Sequence, residues 1–419
     1  MSGAEREGDF AAREEGGAVD PPSGADRGAR LREVAALFFK LGATAFGGPL
    51  AHIAMMEREV VRRGWVTRQQ FLDLVGVTNL LPGPNSTEMA MHLGHVRAGA
   101  PGLVVGGACF ILPAAAITLA FAWGYVRFGR LPETAAILYG TKPVIVAVVA
   151  QALVNLSRAA VKRRALAAIG LCAAGAAAAG VNEVLVLAAA GLVASVIGGA
   201  PRGTAAPSKP GAASAPEEEK RSLGIGGAVA AQAAGAAAAA GAAPFGLAPL
   251  FLTFAKAGSI LFGSGYVLLA FLRADLVERL RWMTEAQLLD AVTVGQITPG
   301  PVFTTATFIG YVLGGGAGAA VATAGIFLPA FVVVAASGPI VRRIRSSARA
   351  GTFLDGVNVA SLALMAVVAA RLGKAAIVDP LTAVLAVASL AALLRFKPNA
   401  TWLILAGAAI GLGARAALG

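Results

Sequence analysis

The tripeptide Pro-Gly-Pro interrupts an apolar stretch of the chain twice, at residues 82–84 and at residues 299–301. The first copy is followed by Asn85, Ser86 and Thr87, and the second by the more apolar sequence Val-Phe-Thr. Because proline breaks a helix, a new helix would begin after each tripeptide, with free backbone amides at its positive end. Together with an amide side chain and two hydroxyls, this is the chemistry of an anion site. The spacing predicts such a site, with polar selectivity concentrated at the first copy.

A plain proline kink, in which Ser and Thr hydroxyls bond the freed carbonyls, is the alternative interpretation of either copy taken alone. The tripeptides, however, belong to a long internal repeat. Residues 39–48 (FKLGATAFGG) match residues 255–265 (AKAGSILFGSG), and GWVTRQQFLDLVGVTNLLPGP matches RWMTEAQLLDAVTVGQITPGP. Further matches, LGHV with IGYV and ILPA with FLPA, follow in the same order. Broken helices paired across a repeat favour a transporter site over a kink.

The elements that position the tripeptides begin at two capping boxes, Thr67 with Gln70 and Thr284 with Gln287, each just after a Trp. A helix starting there reaches its tripeptide after about 15 residues, or roughly 22 Å, which is less than the bilayer hydrocarbon thickness of about 30 Å. It cannot cross a membrane alone. We therefore expect a re-entrant hairpin or a discontinuous helix in each half, with second arms that end at Arg97 and at the glycines 314–316.

The composition indicates a polytopic membrane protein, because 57% of the 419 residues are apolar, 14% are charged and the mean hydropathy is +0.72. The net charge of +12 comes from short basic clusters between apolar stretches, which argues against a nucleic-acid partner and for cytoplasmic loops. Cys109 and Cys172 lie in apolar stretches and indicate neither a disulfide framework nor a metal site. No cofactor is expected.

The repeat predicts an all-α fold with two homologous halves. The predicted segments are a disordered polar tail (1–30), the first repeat (31–199), a linker (200–222), a weak candidate connecting helix (223–243) and the second repeat (244–419). Each half has about four predicted spans after its tripeptide: 101–128, 132–156, 164–180 and 181–199, then 313–340, 352–371, 375–394 and 400–418. The basic clusters at 158–164 and 342–349 both face the cytoplasm if the halves have inverted topology, which we therefore favour.

Several charged residues near these motifs are candidates for other roles. Lys40 and Lys256 precede the glycine segments and would either attract an anion or extend to the interface. Asp73 and Asp290, at matching positions before the tripeptides, would either bind a coupling proton or hold the arm to a neighbouring helix. Glu88 shares a helical face with two histidines, which suits proton coupling, a polar lining of the bundle or, less well, a metal ion.

These motifs, which cover the chain from about residue 31 to its end, resemble those of the chromate ion transporter family in its long form with two homologous domains. The candidate substrate-binding residues, most of them carried over from that resemblance, are Lys40, Gly47, Gly48, Asn79, Pro82, Gly83, Pro84, Asn85, Ser86, Thr87, Lys256, Gly263, Ser264, Gly265, Gln296, Thr298, Pro299, Gly300, Pro301 and Thr304. The candidate proton-coupling residues are Asp73, Glu88, His92 and Asp290.

The resemblance implies a multi-pass carrier of the bacterial inner membrane that exports chromate, driven by an ion gradient, and confers chromate resistance. Sulfate or another tetrahedral oxyanion remains an alternative substrate, and an anion channel an alternative mechanism. A homodimer is retained as the candidate assembly, with the lipid bilayer as the other partner. A membrane enzyme is disfavoured, because the sequence contains no nucleophile elbow, no phosphate-binding glycine-lysine loop and no zinc helix motif.

Overall fold

The computed structural model describes residues 24–46, 48–129, 131–198, 245–261, 267–345, 348–396, 398 and 400–418. Residues 1–23 of the predicted tail, the predicted linker 200–222 and the candidate helix 223–243 lie outside the described residues. The described part contains fourteen α-helices, seven in each half. The first half has α1 (Gly24–Thr44), α2 (Gly48–Arg62), α3 (Arg68–Thr78), α4 (Asn85–Phe128), α5 (Pro132–Ala160), α6 (Arg164–Ala178) and α7 (Glu183–Gly198).

The second half repeats the same order of elements. It has α8 (Leu247–Ile260), α9 (Leu268–Leu272) continued by a π-helix (Arg273–Arg279), α10 (Glu285–Ile297), a 3₁₀ turn (Val302–Thr304), α11 (Thr305–Arg345), α12 (Ala348–Ala376), α13 (Pro380–Arg395) and α14 (Ala400–Leu418). The all-α fold with two homologous halves and about four helices after each tripeptide is confirmed. Helix α1 includes the last seven residues of the predicted tail, 24–30, because Ala and Arg residues there favour a helix.

Both predicted capping boxes are present. The Thr67 hydroxyl accepts from the backbone N–H of Gln70, and the Gln70 side chain accepts from the backbone N–H of Thr67. Thr284 and Gln287 repeat the arrangement at α10. Helix α3 ends at residue 78, four residues before the tripeptide, so its 11 residues climb only about 16 Å, less than predicted.

After each tripeptide the chain forms a helical hairpin. A Cβ placed on Gly94 would lie 2.1 Å from the carbonyl oxygen of Gly102. Since residues that far apart in a straight helix would be separated by about 12 Å, the chain must reverse between them. It does so at Ala98 and Gly99, the latter with a φ of 70°. The predicted end of the second arm near residue 97 is therefore confirmed.

The second half contains the equivalent hairpin. A Cβ on Gly310 would lie 2.3 Å from the Gly318 carbonyl oxygen, and the Thr307 and Thr323 hydroxyls are hydrogen bonded at 2.7 Å. The chain reverses at residues 314–315, as predicted. The discontinuous helices are thus present in both copies, while their re-entrant placement in a membrane stays a prediction.

Five stretches of the described residues are long and apolar enough to cross a membrane: Asn85–Phe128, Glu133–Arg158, Val302–Ser337, Gly351–Ala376 and Ala400–Ala417. Four shorter apolar helices, Arg164–Ala178, Glu183–Ile197, Leu247–Ile260 and Pro380–Arg395, accompany them. Large apolar side chains such as Leu171, Val196 and Trp402 are exposed on these helices, as a lipid-facing surface requires. This pattern is that of a multi-pass membrane protein.

Equivalent helices of the two halves run in opposite directions. Lys162 lies just beyond the end of α5, and Asp355 lies near the start of α12. Lys162 Nζ is 3.0 Å from Asp355 Oδ1, so the end of α5 meets the start of α12. Further along, a Cβ on Gly373, near the end of α12, would lie 3.6 Å from Val146 in α5. Since these two helices occupy the same place in the repeat, the halves are inverted, as predicted.

The halves are also joined reciprocally at their broken helices. The backbone N–H of Gly83 donates to the carbonyl of Leu261 at 2.7 Å, and that of Gly300 donates to the carbonyl of Ala45 at 2.8 Å. Gly83 and Gly300 are equivalent in the repeat, as are Ala45 and Leu261. Each tripeptide is therefore fixed to the end of the first helix of the other half, which places both near the interface between the halves.

Candidate functional site

The N-terminus of α4 is the centre of the candidate site. The carbonyl of Pro84 accepts from the backbone N–H groups of Thr87 and Glu88, at 2.7 and 3.0 Å. The N–H groups of Asn85 and Ser86 have no acceptor among the described residues. Two amides thus remain free at the positive end of the helix.

Buried polar atoms without partners are concentrated in the same two turns of α4. Among the described residues, no hydrogen bond satisfies Asn85 Oδ1, Thr87 Oγ1, either carboxyl oxygen of Glu88 or His92 Nε2. Thr87 and Glu88 are fully buried, and Ser86 is 3% exposed. Because buried polar groups in proteins are almost always paired, this set of groups is available to an incoming polar ligand.

The amide of Asn85 is oriented by the end of the preceding helix. Asn85 Nδ2 donates to Asn79 Oδ1 at 2.9 Å, so the oxygen of the Asn85 amide is directed away from Asn79. Asn79 caps α3 through its backbone N–H. Asn79 and Asn85, flanking Pro82 and Pro84, thus face each other across the tripeptide.

Glu88 lies against the tripeptide itself. A Cβ placed on Gly83 would lie 2.3 Å from Glu88 Oε1, and Gly83 has a φ of 144°. The positive φ favours glycine at this position, and the absence of a side chain leaves room for the Glu88 carboxyl. The Glu88 carboxyl thus lies against the backbone of Gly83, with no hydrogen-bond partner among the described residues. His92 follows one turn later on the same face.

The second half does not reproduce this chemistry. Val302 and Phe303 occupy the equivalent positions and are buried, with Phe303 packed on Phe327 at 6.3 Å between ring centroids. The Thr304 hydroxyl donates to the carbonyl of Pro301 at 2.9 Å and accepts from Thr118 at 3.2 Å. The hydroxyls of this tip are therefore satisfied within the protein.

The remaining candidates of the second tip are placed as follows. Thr298 donates its hydroxyl to Val294 O at 2.8 Å, and Pro299 and Gly300 are buried. Gln296, the equivalent of Asn79, has a buried Nε2 without a partner among the described residues. Within the described part of the chain, this amide is the buried side-chain group without a partner at the second tip.

Both candidate lysines are engaged with carboxylates. Lys40 Nζ lies 3.5 Å from Glu59 Oε1 on α2, and Lys256 Nζ lies 2.8 Å from Asp275 Oδ2 on the equivalent π-helix. Lys40 is 62% exposed, whereas Asp275 is only 5% exposed. The two lysines therefore hold the second helix of each half by an ion pair. The sequence had suggested two other roles, attraction of an anion or extension to the membrane interface.

Glu59 lies outside the candidate membrane spans. A hydrogen bond from Arg62, followed by one from Arg63 and by the charges of Arg62 and Lys40, lowers the pKa of Glu59 to about 2 against an opposing effect of burial. The Glu59 carboxyl is thus ionised throughout the physiological range.

The matching aspartates differ in their surroundings. Asp290 on α10 is buried, accepts a hydrogen bond from the Tyr125 hydroxyl at 2.8 Å and lies 2.9 Å from Lys142 Nζ. Asp73 on α3 is exposed and does not join the polar set around Glu88. The contacts of Asp290 support its role in holding α10 to the first half.

Lys142, Tyr125 and His52 were not identified from the sequence. Lys142 carried a signal, since it is a lone charge within an apolar run. His52 is buried and its Nε2 lies 3.1 Å from the carbonyl of Ala45, the same carbonyl that accepts from Gly300. It therefore supports the joint between the halves.

The structure describes only part of the two glycine segments, residues 46–49 and 262–265. Gly48 has a φ of 77° and begins α2, so the break predicted at this motif is present. Gly47, Gly263, Ser264 and Gly265 lie outside the described residues. Within the described part, no group of three His, Cys, Asp or Glu side chains could hold a metal ion.

The sequence profile of the family described as "Chromate transporter" matches residues 32–195 and 248–412 of this chain. The chain belongs to the chromate transporter family. A chromate transport protein of Cupriavidus metallidurans is 33% identical over 383 residues, which cover 91% of this chain and 92% of that protein. One of Pseudomonas aeruginosa is 34% identical over 328 residues, covering 77% and 76%.

The chain is also similar to a transporter whose name gives no substrate. An uncharacterized transporter of Methanocaldococcus jannaschii is 26% identical over 337 residues, covering 80% of this chain and 82% of that protein. No solved structure matches the chain. As a member of the chromate transporter family with several apolar helices long enough to span a bilayer, the protein is a multi-pass membrane protein.

Proposed function

We propose that this protein is a secondary transporter of the bacterial inner membrane that exports chromate, driven by an ion gradient, and thereby confers chromate resistance. The relatives named chromate transport proteins support the substrate class. The observation that carries the proposal is the set of donors at the start of α4, where the N–H groups of Asn85 and Ser86 and the Thr87 hydroxyl have no partner among the described residues, because free donors at a helix N-terminus bind oxyanions.

The recognition chemistry suits a tetrahedral dianion. The free N–H groups of Asn85 and Ser86 and the hydroxyls of Ser86 and Thr87 donate to its oxygens, and the helix dipole favours its charge. The same donors would bind sulfate, which has the same shape and charge. Sulfate is therefore both an alternative substrate and a useful competitor.

Glu88 supplies the coupling step in this proposal. A buried carboxylate without a cationic partner is costly beside a bound dianion, so binding of a proton to Glu88 would accompany binding of the oxyanion. One proton and one dianion leave together with a net negative charge, so the inside-negative membrane potential, which is part of the ion gradient, drives the export. His92, one turn away on the same helical face, extends this path along α4. The inverted halves then exchange access to the site by rocking against each other, with the reciprocal backbone bonds at Gly83 and Gly300 near the pivot.

The test is uptake of radiolabelled chromate into inverted membrane vesicles that contain the full chain, with and without a proton gradient and with excess sulfate. We expect gradient-dependent uptake that sulfate inhibits, and a loss of uptake in the double variant Ser86→Ala/Thr87→Val at unchanged expression. Ser195→Ala on α7 is the control and should transport normally. Uptake that does not saturate with chromate concentration would indicate a channel. Normal uptake by the double variant would refute the placement of the site.

A further inference from the structure

A charged cluster deep in the membrane region lies outside the candidate site. Lys142 is nine residues from the start and sixteen from the end of the apolar stretch Glu133–Arg158, or about 14 and 24 Å from its ends. Its Nζ lies 2.9 Å from Asp290 Oδ1, and the Lys142 and Asp290 side chains are 20% and 7% exposed. A lysine at this depth is rare in membrane proteins and marks an ion or substrate path more often than a structural site.

The pair joins the two halves. Lys142 lies on α5 and Tyr125 on α4 of the first half, whereas Asp290 lies on α10 of the second half. Asp290 thus connects the arm that leads into the second tripeptide to the helices of the other half. Among the residues whose side chains are described, Tyr125 and Lys142 are the titratable groups in contact with Asp290, and no charged side chain of α12 or α14 lies within ion-pair distance of it.

The repeat shows that the fold does not require this cluster. The equivalents of Asp290, Lys142 and Tyr125 in the other half are Asp73, Asn358 and Val341. Only the carboxylate occurs in both halves. The other half forms its equivalent helices without a lysine at this position, so the cation in the first half is an addition to the shared scaffold.

The contact between Lys142 and Asp290 is one of charge more than of hydrogen bonding. Asp290 Oδ1 makes no aligned hydrogen bond within the described residues, although Lys142 Nζ is close to it, and only Oδ2 is bonded, by Tyr125. Lys142 therefore keeps donor capacity that the carboxylate does not fill. Pro143 follows directly and removes one helical hydrogen bond from α5, which permits local bending.

We infer that Lys142 is a second oxyanion contact on the transport path, occupied by the Asp290 carboxylate when no substrate is bound. A proton from solution that binds Asp290 cancels its charge, and Lys142 Nζ is then free to pair with one oxygen of a tetrahedral dianion. Loss of the proton restores the ion pair and expels the anion. This inference rests on the proposed function and adds to it a site that Glu88 and the α4 helix start do not provide.

The experiment compares purified full-length variants in proteoliposomes, with chromate as the probe at internal and external pH between 6 and 8. The variants are Lys142→Met, Asp290→Asn, their double variant, and Lys162→Met/Asp355→Asn, which removes an exposed ion pair between the same helices α5 and α12. The double variant removes both charges together and leaves no uncompensated charge in the membrane, so it is expected to fold.

We expect chromate flux to fall at least about tenfold in Lys142→Met and in the double variant, because each lacks a hydrogen bond to a charged substrate. Asp290→Asn should make flux less dependent on pH. Added chromate should raise the melting temperature of Asp290→Asn more than that of the wild type, because Lys142 in this variant no longer has the Asp290 carboxylate as a counter-charge. The control pair should transport normally.

Two results would overturn the inference in distinguishable ways. In the first, the wild type and the double variant transport chromate equally, and flux through Asp290→Asn depends on pH as in the wild type. The pair of Lys142 and Asp290 then only holds the halves together. If the wild type itself does not move or bind chromate, the proposed function fails, and the role of Lys142 fails with it.

Discussion

The equivalent threonines at the two helix tips offer a direct comparison between binding and stability. Thr87 and Thr304 occupy the same place in the repeat, and both are fully buried. Thr87 Oγ1 has no partner among the described residues, whereas Thr304 Oγ1 is bonded to Pro301 and Thr118. Replacing each by valine, which has nearly the same shape, removes only the hydroxyl. The two substitutions should therefore have opposite effects.

For Thr87→Val we expect weaker oxyanion binding with no loss of stability. A hydrogen bond to a charged group contributes about 1.5–3 kcal/mol, which corresponds to about a ten- to hundredfold rise in the apparent Kd for chromate. Because the lost hydroxyl is buried and unpartnered, its removal leaves the free energy of unfolding unchanged or raises it.

For Thr304→Val we expect the reverse. The substitution removes two hydrogen bonds and leaves the buried Thr118 hydroxyl without this partner, at a cost of about 1–3 kcal/mol in the free energy of unfolding. Chromate affinity should stay within about twofold of wild type, since this hydroxyl is satisfied within the protein.

The assays are the melting temperature of the purified protein in detergent and the shift of that temperature with chromate concentration, which gives an apparent Kd. The concentration dependence of chromate uptake into vesicles provides a second measurement of the apparent affinity. If both variants weaken chromate binding equally, the two tips share the substrate and the assignment to the first tip is wrong. A large loss of stability in Thr87→Val would mean that its hydroxyl has a structural partner.

Two further predictions concern packing and charge. Gly94→Ala should lower the free energy of unfolding by about 1–3 kcal/mol or more, because the added Cβ would meet the backbone of the facing arm. Gly124→Ala is the control, since open space surrounds Gly124, and it should be neutral or stabilising. Thermal unfolding of both variants tests this prediction. Lys256→Met should destabilise the protein by about 1.5 kcal/mol in the same assay, since Asp275 is buried but keeps its ion pair with Arg279. Lys40→Met, in an exposed pair, should cost less than about 1 kcal/mol, and equal effects would contradict the assigned burial.

The local part of the fold was predictable from the sequence. The capping boxes at Thr67 and Thr284 depend on residues three positions apart, and the helix breaks depend on prolines within the segment itself. The ends of the hairpin arms were also marked locally, by Arg97 and by the glycines 314–316. Such signals act within one or two helical turns, so a single sequence contains all the information that they need.

The pairing of charges was not predictable in the same way. The partners of Lys40 and Lys256 lie 19 residues further on, across a break in the chain, and the sequence left their role open. The contact between Lys142 and Asp290 joins different halves and depends on how inverted repeats pack. Motif and spacing show which residues are chemically capable, but only the tertiary arrangement shows which carboxylate each cation meets.

The symmetry of the backbone and the asymmetry of the side chains have different causes. The bonds from Gly83 to Leu261 and from Gly300 to Ala45 are reciprocal, because two inverted halves can meet only through contacts that each makes on the other. A pseudo-symmetric interface does not need two equal binding sites. Once one tip carries the free donors of α4, the other can be filled by Val302 and Phe303, whose burial stabilises the joint. In the proposed function, the duplicated scaffold thus lets one half recognise the substrate while the other supplies the surface against which the first half moves.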